Sequence, residues 1–112
     1  MTVQLDFVGA SGAVYRYFER DGERLSPSGG NFIFASEAAN GLTVIYVGEA
    51  ENLMNLADVR WPEAKTRYGA THAFVRLNVT ASVRRRERAD LIAAYSPPMN
   101  TTAEDDSAAQ GA

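Results

Sequence analysis

Eight arginines and lysines between residues 60 and 100, three of them consecutive in the run "RRRER" at 84–88, are the side chains of this chain best suited to chemistry. A guanidinium offers forked donors that match a phosphate or carboxylate, so clustered arginines suit anion binding by both charge and geometry. Residues 1–59 carry a net charge of −5, residues 60–100 carry +5, and the tail adds −3 through Glu104, Asp105 and Asp106. A basic half of this kind can meet the phosphates of a nucleic acid, or it can be a solvated charged surface. Two inward-pointing candidates, Arg84 and Arg88, lie one helical turn apart, with Arg60 upstream, Asn100 downstream and the phenol of Tyr46 in an apolar segment. Tyr46 could assist a nucleophile, although a tyrosine in a buried strand is more often a core aromatic. The single histidine, His72, sits in an alternating strand pattern. The absence of cysteine excludes disulfides, thiolate metal sites and cysteine nucleophiles.

These side chains must be positioned by a small fold. At 112 residues and 46% apolar composition the chain suits one domain with a modest core. We expect that domain over 1–100, with an acidic, disordered tail over 101–112. No apolar run approaches membrane-spanning length and no leader-like segment opens the chain, which points to a cytoplasmic monomer with no membrane partner.

Apolar alternation in "TVQLDFV" and "AVYRYFE" predicts two N-terminal strands, followed by a turn at "RDGE" and a loop at "SPSGG". "NFIFA" reads as a short strand, Asn40-Gly41 as a hairpin turn, and "LTVIYV" as a central strand covered on both faces. Gly48 ends that strand. A helix follows, with Leu53, Ala57 and Trp61 on one face and Pro62 stopping it. "THAFVRLNV" predicts a strand with Ala73, Val75, Leu77 and Val79 inward and His72, Phe74, Arg76 and Asn78 on the polar face. A last helix runs from about Ser82 to Tyr95, before Pro97-Pro98. This order is α+β. On the last helix Leu91, Ile92 and Tyr95 define an inward stripe that contains Arg84 and Arg88, with Glu87 at its margin and Arg85, Arg86 and Asp90 elsewhere.

"GNFIFA…TVIYVGEAENL", with Asn31-Phe32-Ile33 and Tyr46-Val47-Gly48 in paired strands, and the closing "ADLIAAYSPPMN" resemble the GIY-YIG nuclease superfamily over about residues 13–100. The resemblance implies a small three-stranded antiparallel sheet flanked by helices, here with an extra N-terminal strand. Active members cut DNA phosphodiesters with one divalent cation, using a motif tyrosine, an arginine on the first helix and a glutamate on the later one. In this chain the first motif tyrosine is Phe32, the arginine position is Leu56, the next turn carries Arg60, and the glutamate position is Arg88; Tyr46 and Asn100 persist.

Exchanging a carboxylate for a guanidinium alters the local charge by two units, and a cation pair at about 4 Å costs roughly 4 kcal/mol at an effective dielectric near 20. Arg also offers no oxygen to a hard cation. The sequence therefore favours a degenerate, non-catalytic GIY-YIG-like domain without cofactor, binding DNA or another nucleic acid, or a protein partner, through Arg60, Arg84, Arg88 and Asn100. An active endonuclease using Mg²⁺ or Mn²⁺ on displaced carboxylates such as Glu87 is the second reading. A purely structural or interaction module, whose arginines pair with acids of the first half, is the third.

Overall fold

The computed structural model describes residues 4–20 and 27–101, with the side chains of 55–59 and 101 left aside. The "RDGE" turn beyond Arg20, the start of the "SPSGG" loop, the tail over 102–112 and the side chains of Leu56 and Ala57 lie outside the described residues.

Five strands form one antiparallel sheet: β1 (Gln4–Val8), β2 (Val14–Glu19), β3 (Gly30–Ala38), β4 (Gly41–Ala50) and β5 (His72–Leu77), in the order β1-β2-β5-β3-β4. Helix α1 (Leu53–Tyr68) joins β4 to β5, and α2 (Ala81–Tyr95) leads into a short 3₁₀ turn at Pro98–Thr101. The α+β class matches the sequence expectation, but five strands share the sheet where three were expected. Both N-terminal segments pair, β1 with β2 over Gln4–Phe18 to Val8–Val14, and β2 with β5 through Phe18–Val75 and Glu19–Phe74. Alternating aromatics on β2 bring this about, since Tyr17 buries completely while Phe18 continues the sheet beside Val75.

The β3–β4 hairpin turns at Ala39-Asn40, and Gly41 takes φ +121°, a conformation open to glycine. One irregularity in its register matters. Phe34 pairs with Tyr46 and Ala35 with Val44, so Ile45 is an extra residue in β4. The bulge breaks strict alternation. Ile45 and Tyr46 both enter the cluster under α1, with Phe32, Phe34, Leu53, Ala64 and Met99. Val44 and Val47 both enter the cluster under α2, with Phe7, Tyr17, Ile33, Phe74 and Leu91. β4 thus feeds two cores, and both its faces are covered as its continuous apolar run anticipates, but it is an edge strand where a central one was expected.

Helix α1 does not stop at Pro62. Asn52 caps its start, with Oδ1 accepting from Met54 N–H at 3.0 Å, and Gly69 in the left-handed region ends it. An interior proline removes one backbone bond and costs about 3 kcal/mol. Packing beyond it offsets that cost: Trp61 meets Phe34 edge-on at 5.1 Å, and Ala64 and Tyr68 join the same cluster. On β5 the expected polar face is a second core face, because Phe74 is buried under α2 while Leu77 and Val79 are exposed.

Gly48 lies where β4 passes beneath the Phe32 ring. A Cβ there would meet Phe32 Cζ and would come within 2.8 Å of Tyr46 Cε2. Both rings sit in a packed cluster, so neither can retreat without opening a gap. Gly48→Ala is expected to lower unfolding free energy by about 1–3 kcal/mol, the range for overpacking a core. Urea titration of the two proteins measures this; equal midpoints would show that the ring pair yields freely.

Candidate functional site

The strongest polar constellation gathers where α2 and the closing turn meet β4. Asn100 is buried and its carboxamide pairs with a single peptide: Oδ1 accepts from Val47 N–H at 2.7 Å and Nδ2 donates to Val47 O at 2.9 Å. Arg88 Nε donates to the same carbonyl at 3.0 Å. β4 is an edge strand, so these Val47 groups have no strand partner. The side chains supply what a sixth strand would.

Arg84 is the most deeply set cation, with its side chain 5% exposed. Its Nε donates to Glu49 Oε2 at 2.8 Å, and Nη1 donates to Asn78 O at 3.1 Å and Val79 O at 2.9 Å. Gly29 makes room for it, since a Cβ there would run into Nη1. Asn31, fully buried, ties this cluster to β3: its Nδ2 donates to Arg84 O at 3.0 Å, and its Oδ1 accepts from Asn78 Nδ2 at 3.0 Å. Arg84 and Glu49 pair across the two halves of the chain, as the third sequence reading expects.

Arg60 and Tyr46 meet on the α1 face. The guanidinium carbon stands 4.9 Å from the centre of the Tyr46 ring, and Nε lies 3.3 Å from Glu63 Oε1, off the line of a hydrogen bond. Tyr46 is 7% exposed and stacks obliquely with Phe32 and Phe34. The expected site residues therefore divide. Tyr46 and Arg60 come together, Arg88 and Asn100 come together on Val47, and Arg84 stands with Glu49. Arg60 stands over the Tyr46 ring, and Arg88 reaches the carbonyl of the next residue, Val47.

The helical phase assigned to α2 needs correction at two acids. Glu87 is buried, whereas Arg88 is half-buried, because Glu87 Oε1 accepts from Arg76 Nε of β5 at 2.9 Å. Asp90 also faces protein. Its Oδ2 accepts from Ser11 Oγ at 2.7 Å and from Tyr15 OH at 2.7 Å, and Oδ1 accepts from Ser11 N–H at 2.9 Å. Gly9 passes close beneath, where a Cβ would collide with Oδ2. This latch holds the β1–β2 turn onto α2 and floors an open depression lined by Ser11, Ala13, Tyr15, Arg86, Glu87, Ala89 and Asp90. Gly9 and Gly12 mark a turn between the first two strands, but its pairing with a residue 79 positions from Ser11 has no local signature.

His72 lies between strands on the α2 side, stacked on Phe74 at 6.0 Å, with Nε2 3.4 Å from Glu37 and 3.7 Å from Glu19. Thr71 Oγ accepts from Glu37 N–H and lies 2.7 Å from His72 Nδ1. Among the described residues no three histidine or carboxylate side chains are placed to hold a metal ion. Among them, too, no helix is long and apolar enough to cross a membrane. No family model, curated protein or solved structure significantly matches the chain.

Two outcomes follow from this geometry. Val47 N–H, on an open edge, is bonded by Asn100, so Asn100→Ala is expected to cost about 2–4 kcal/mol through one lost pair and one orphaned donor. Hydrogen exchange should show Val47 N–H losing more protection than its strand neighbours; uniform loss would mean that the clamp is not local.

Three hydrogen bonds, the hydroxyl of Ser11 first and then Tyr15 and the Ser11 amide, hold the Asp90 carboxyl below the usual carboxylate range. A depressed folded-state value means that the contribution is present above the unfolded pKa, about 3.9, and is lost as pH falls through the folded one. The stability gap between wild type and Asp90→Asn should therefore be larger at pH 6 than at pH 3 in paired urea titrations. A gap independent of pH would show that the latch does not depend on charge.

Proposed function

We propose that the chain is a catalytically degenerate GIY-YIG-like domain that works by binding a protein surface and does not cleave phosphodiesters. The observation that carries this reading is where the polar side chains are spent. At position 88, where the resemblance expects a metal-holding acid, a guanidinium donates to Val47 O. Asn100 clamps the same peptide, and Arg84 is enclosed by Glu49, Asn78 and Val79. Phe32 replaces the first motif tyrosine with a ring sealed in the core. Further support comes from the β3–β4 hairpin, which pairs the two motif segments and is followed by α1, β5 and α2, as in the antiparallel sheet flanked by helices that the resemblance implies.

Of the two partner classes expected from the sequence, protein is favoured over nucleic acid. Phosphate binding needs guanidinium donors directed outward, whereas Arg84 and Arg88 direct theirs to the chain's own carbonyls and carboxylates. The displaced carboxylate of the nuclease reading, Glu87, is engaged by Arg76. A metal would have to break that pair, in a buried setting where separating it is costly.

Incubation with supercoiled plasmid, with and without Mg²⁺ or Mn²⁺, tests the assignment. No nicking is expected, and sub-millimolar cation should produce no saturable rise in Tm. Metal-dependent cleavage overturns the reading. Salt-sensitive DNA retention that disappears in Arg85→Glu/Arg86→Glu moves it to nucleic-acid binding.

A further inference from the structure

The two faces of the sheet are unequally covered. Helix α2 lies under one face, against β4, β3 and β1, while α1 packs the other face over β3 and β4 and shares its cluster with Ala73 and Val75 of β5. On that second face the alternation of β1 and β2 directs Gln4, Asp6 and Val8 outward beside their register partners Phe18, Arg16 and Val14. β5 extends the surface through Val75 and Leu77, since Val75 pairs with Phe18. The result is an apolar strip on this face: Val8 is 46% exposed, Val14 59%, Phe18 40% and Leu77 62%. Four large apolar side chains side by side in water are more than scattered surface residues.

A single ion pair crosses the strip. Arg16 Nε lies 3.0 Å from Asp6 Oδ1, with side chains 59% and 43% exposed. Its position makes the face complementary to itself. A two-fold axis lying in the contact plane, parallel to β1 and β2 and between them, places Asp6 of one copy over Arg16 of the other. The same operation places Val8 over Val14, and Gln4 over Phe18. Closed two-fold contacts are isologous, so a patch with adjacent opposite charges inside an apolar surround satisfies them without any second kind of surface. An unrelated partner would need a matched dipole in the same place.

We infer that this face binds a second copy of the chain, forming a two-fold dimer through the half of the sheet that no helix among the described residues covers, with Asp6 and Arg16 exchanged across the interface. The inference rests on the protein-binding reading and names its partner. Cross-pairing fixes register and excludes parallel or shifted stacking, which would oppose like charges.

Sedimentation equilibrium of the full chain from micromolar to millimolar concentration, with four variants alongside, tests this. Wild type should dimerise. Asp6→Arg and Arg16→Asp each set like charges face to face and should weaken association at least about tenfold. The double variant Asp6→Arg/Arg16→Asp restores both pairs and should return to within a few-fold of wild type. Val14→Asp, which sets a carboxylate against Val8 of the other copy, should abolish dimerisation. All three positions are exposed, and thermal melts that remain cooperative confirm that each variant folds. Wild type monomeric at millimolar concentration overturns the inference, as does a dimer indifferent to all four changes. A double variant as weak as either single one overturns the two-fold pairing. The plasmid assay reads the non-catalytic assignment independently of mass, so the two ideas fail separately.

Discussion

An open sheet has two edges, and the fold depends on how the β4 edge is closed. Val47 contributes its side chain to the core under α2 and its peptide to the bare side of the strand. Unpaired, that buried peptide would cost a few kcal/mol and would offer a template for another chain. Asn100 meets it with one acceptor and one donor at the spacing of a strand partner. To reach it the chain must leave α2, pass around the edge of β4 and place Met99 in the opposite core. Ser96 in the left-handed region and two prolines make that departure abrupt. One carboxamide thereby holds α2, β4 and the α1-side core in a common register.

Helix α2 is attached to the sheet mainly by polar side chains. Its buried residues are Arg84, Glu87 and Leu91, at helical spacings of three and four, and two of the three are charged. Each charge has a partner on a different element: Arg84 with Glu49 of β4, Glu87 with Arg76 of β5. Asp90 adds the β1–β2 turn, and Tyr95 donates its ring to Phe7 and accepts at its hydroxyl from Val8 N–H at 3.1 Å. Buried pairs of this kind seldom exceed an apolar contact in net stability, but separating one costs on the order of 3–5 kcal/mol. Such attachment is intolerant of sliding, because a slip of one turn would strand several charges at once. It also closes the second edge, since Val8 belongs to the outer strand β1. Tyr17 is the exception within this region: burial pushes its hydroxyl well up, and no hydrogen-bond partner meets it.

The sequence made legible whatever depends on local pattern. The Asn40-Gly41 turn, β4, the span of α2 and the α+β class are visible because glycine, proline and apolar periodicity act over a few residues. Helix α1 was cut short at Pro62 because local propensity gives no weight to Trp61 and Tyr68 packing against β3 and β4. The bulge at Ile45 was hidden, since a continuous apolar run fits regular and bulged strands alike. Site residues fared differently again. Inward direction was read correctly for Arg84, but phase alone could not tell a cation aimed at a ligand from one aimed at Glu49. Glu87 was placed at the margin because its burial depends on Arg76, a residue on another element.

Position 88 shows how structure and chemistry exclude each other here. A side chain leaving α2 at this point arrives beside Val47 O, which accepts from Arg88 Nε and from Asn100 Nδ2. A carboxylate in the same place would bring oxygen toward a carbonyl oxygen, a repulsion that a proton, a water or a cation between them would have to relieve. A metal there would then stand in place of the donors that complete the strand edge. A guanidinium removes the need for it: its Nε donor meets the carbonyl directly. The edge is thus closed from within the chain, by the Asn100 carboxamide on both Val47 groups and by Arg88 on the carbonyl.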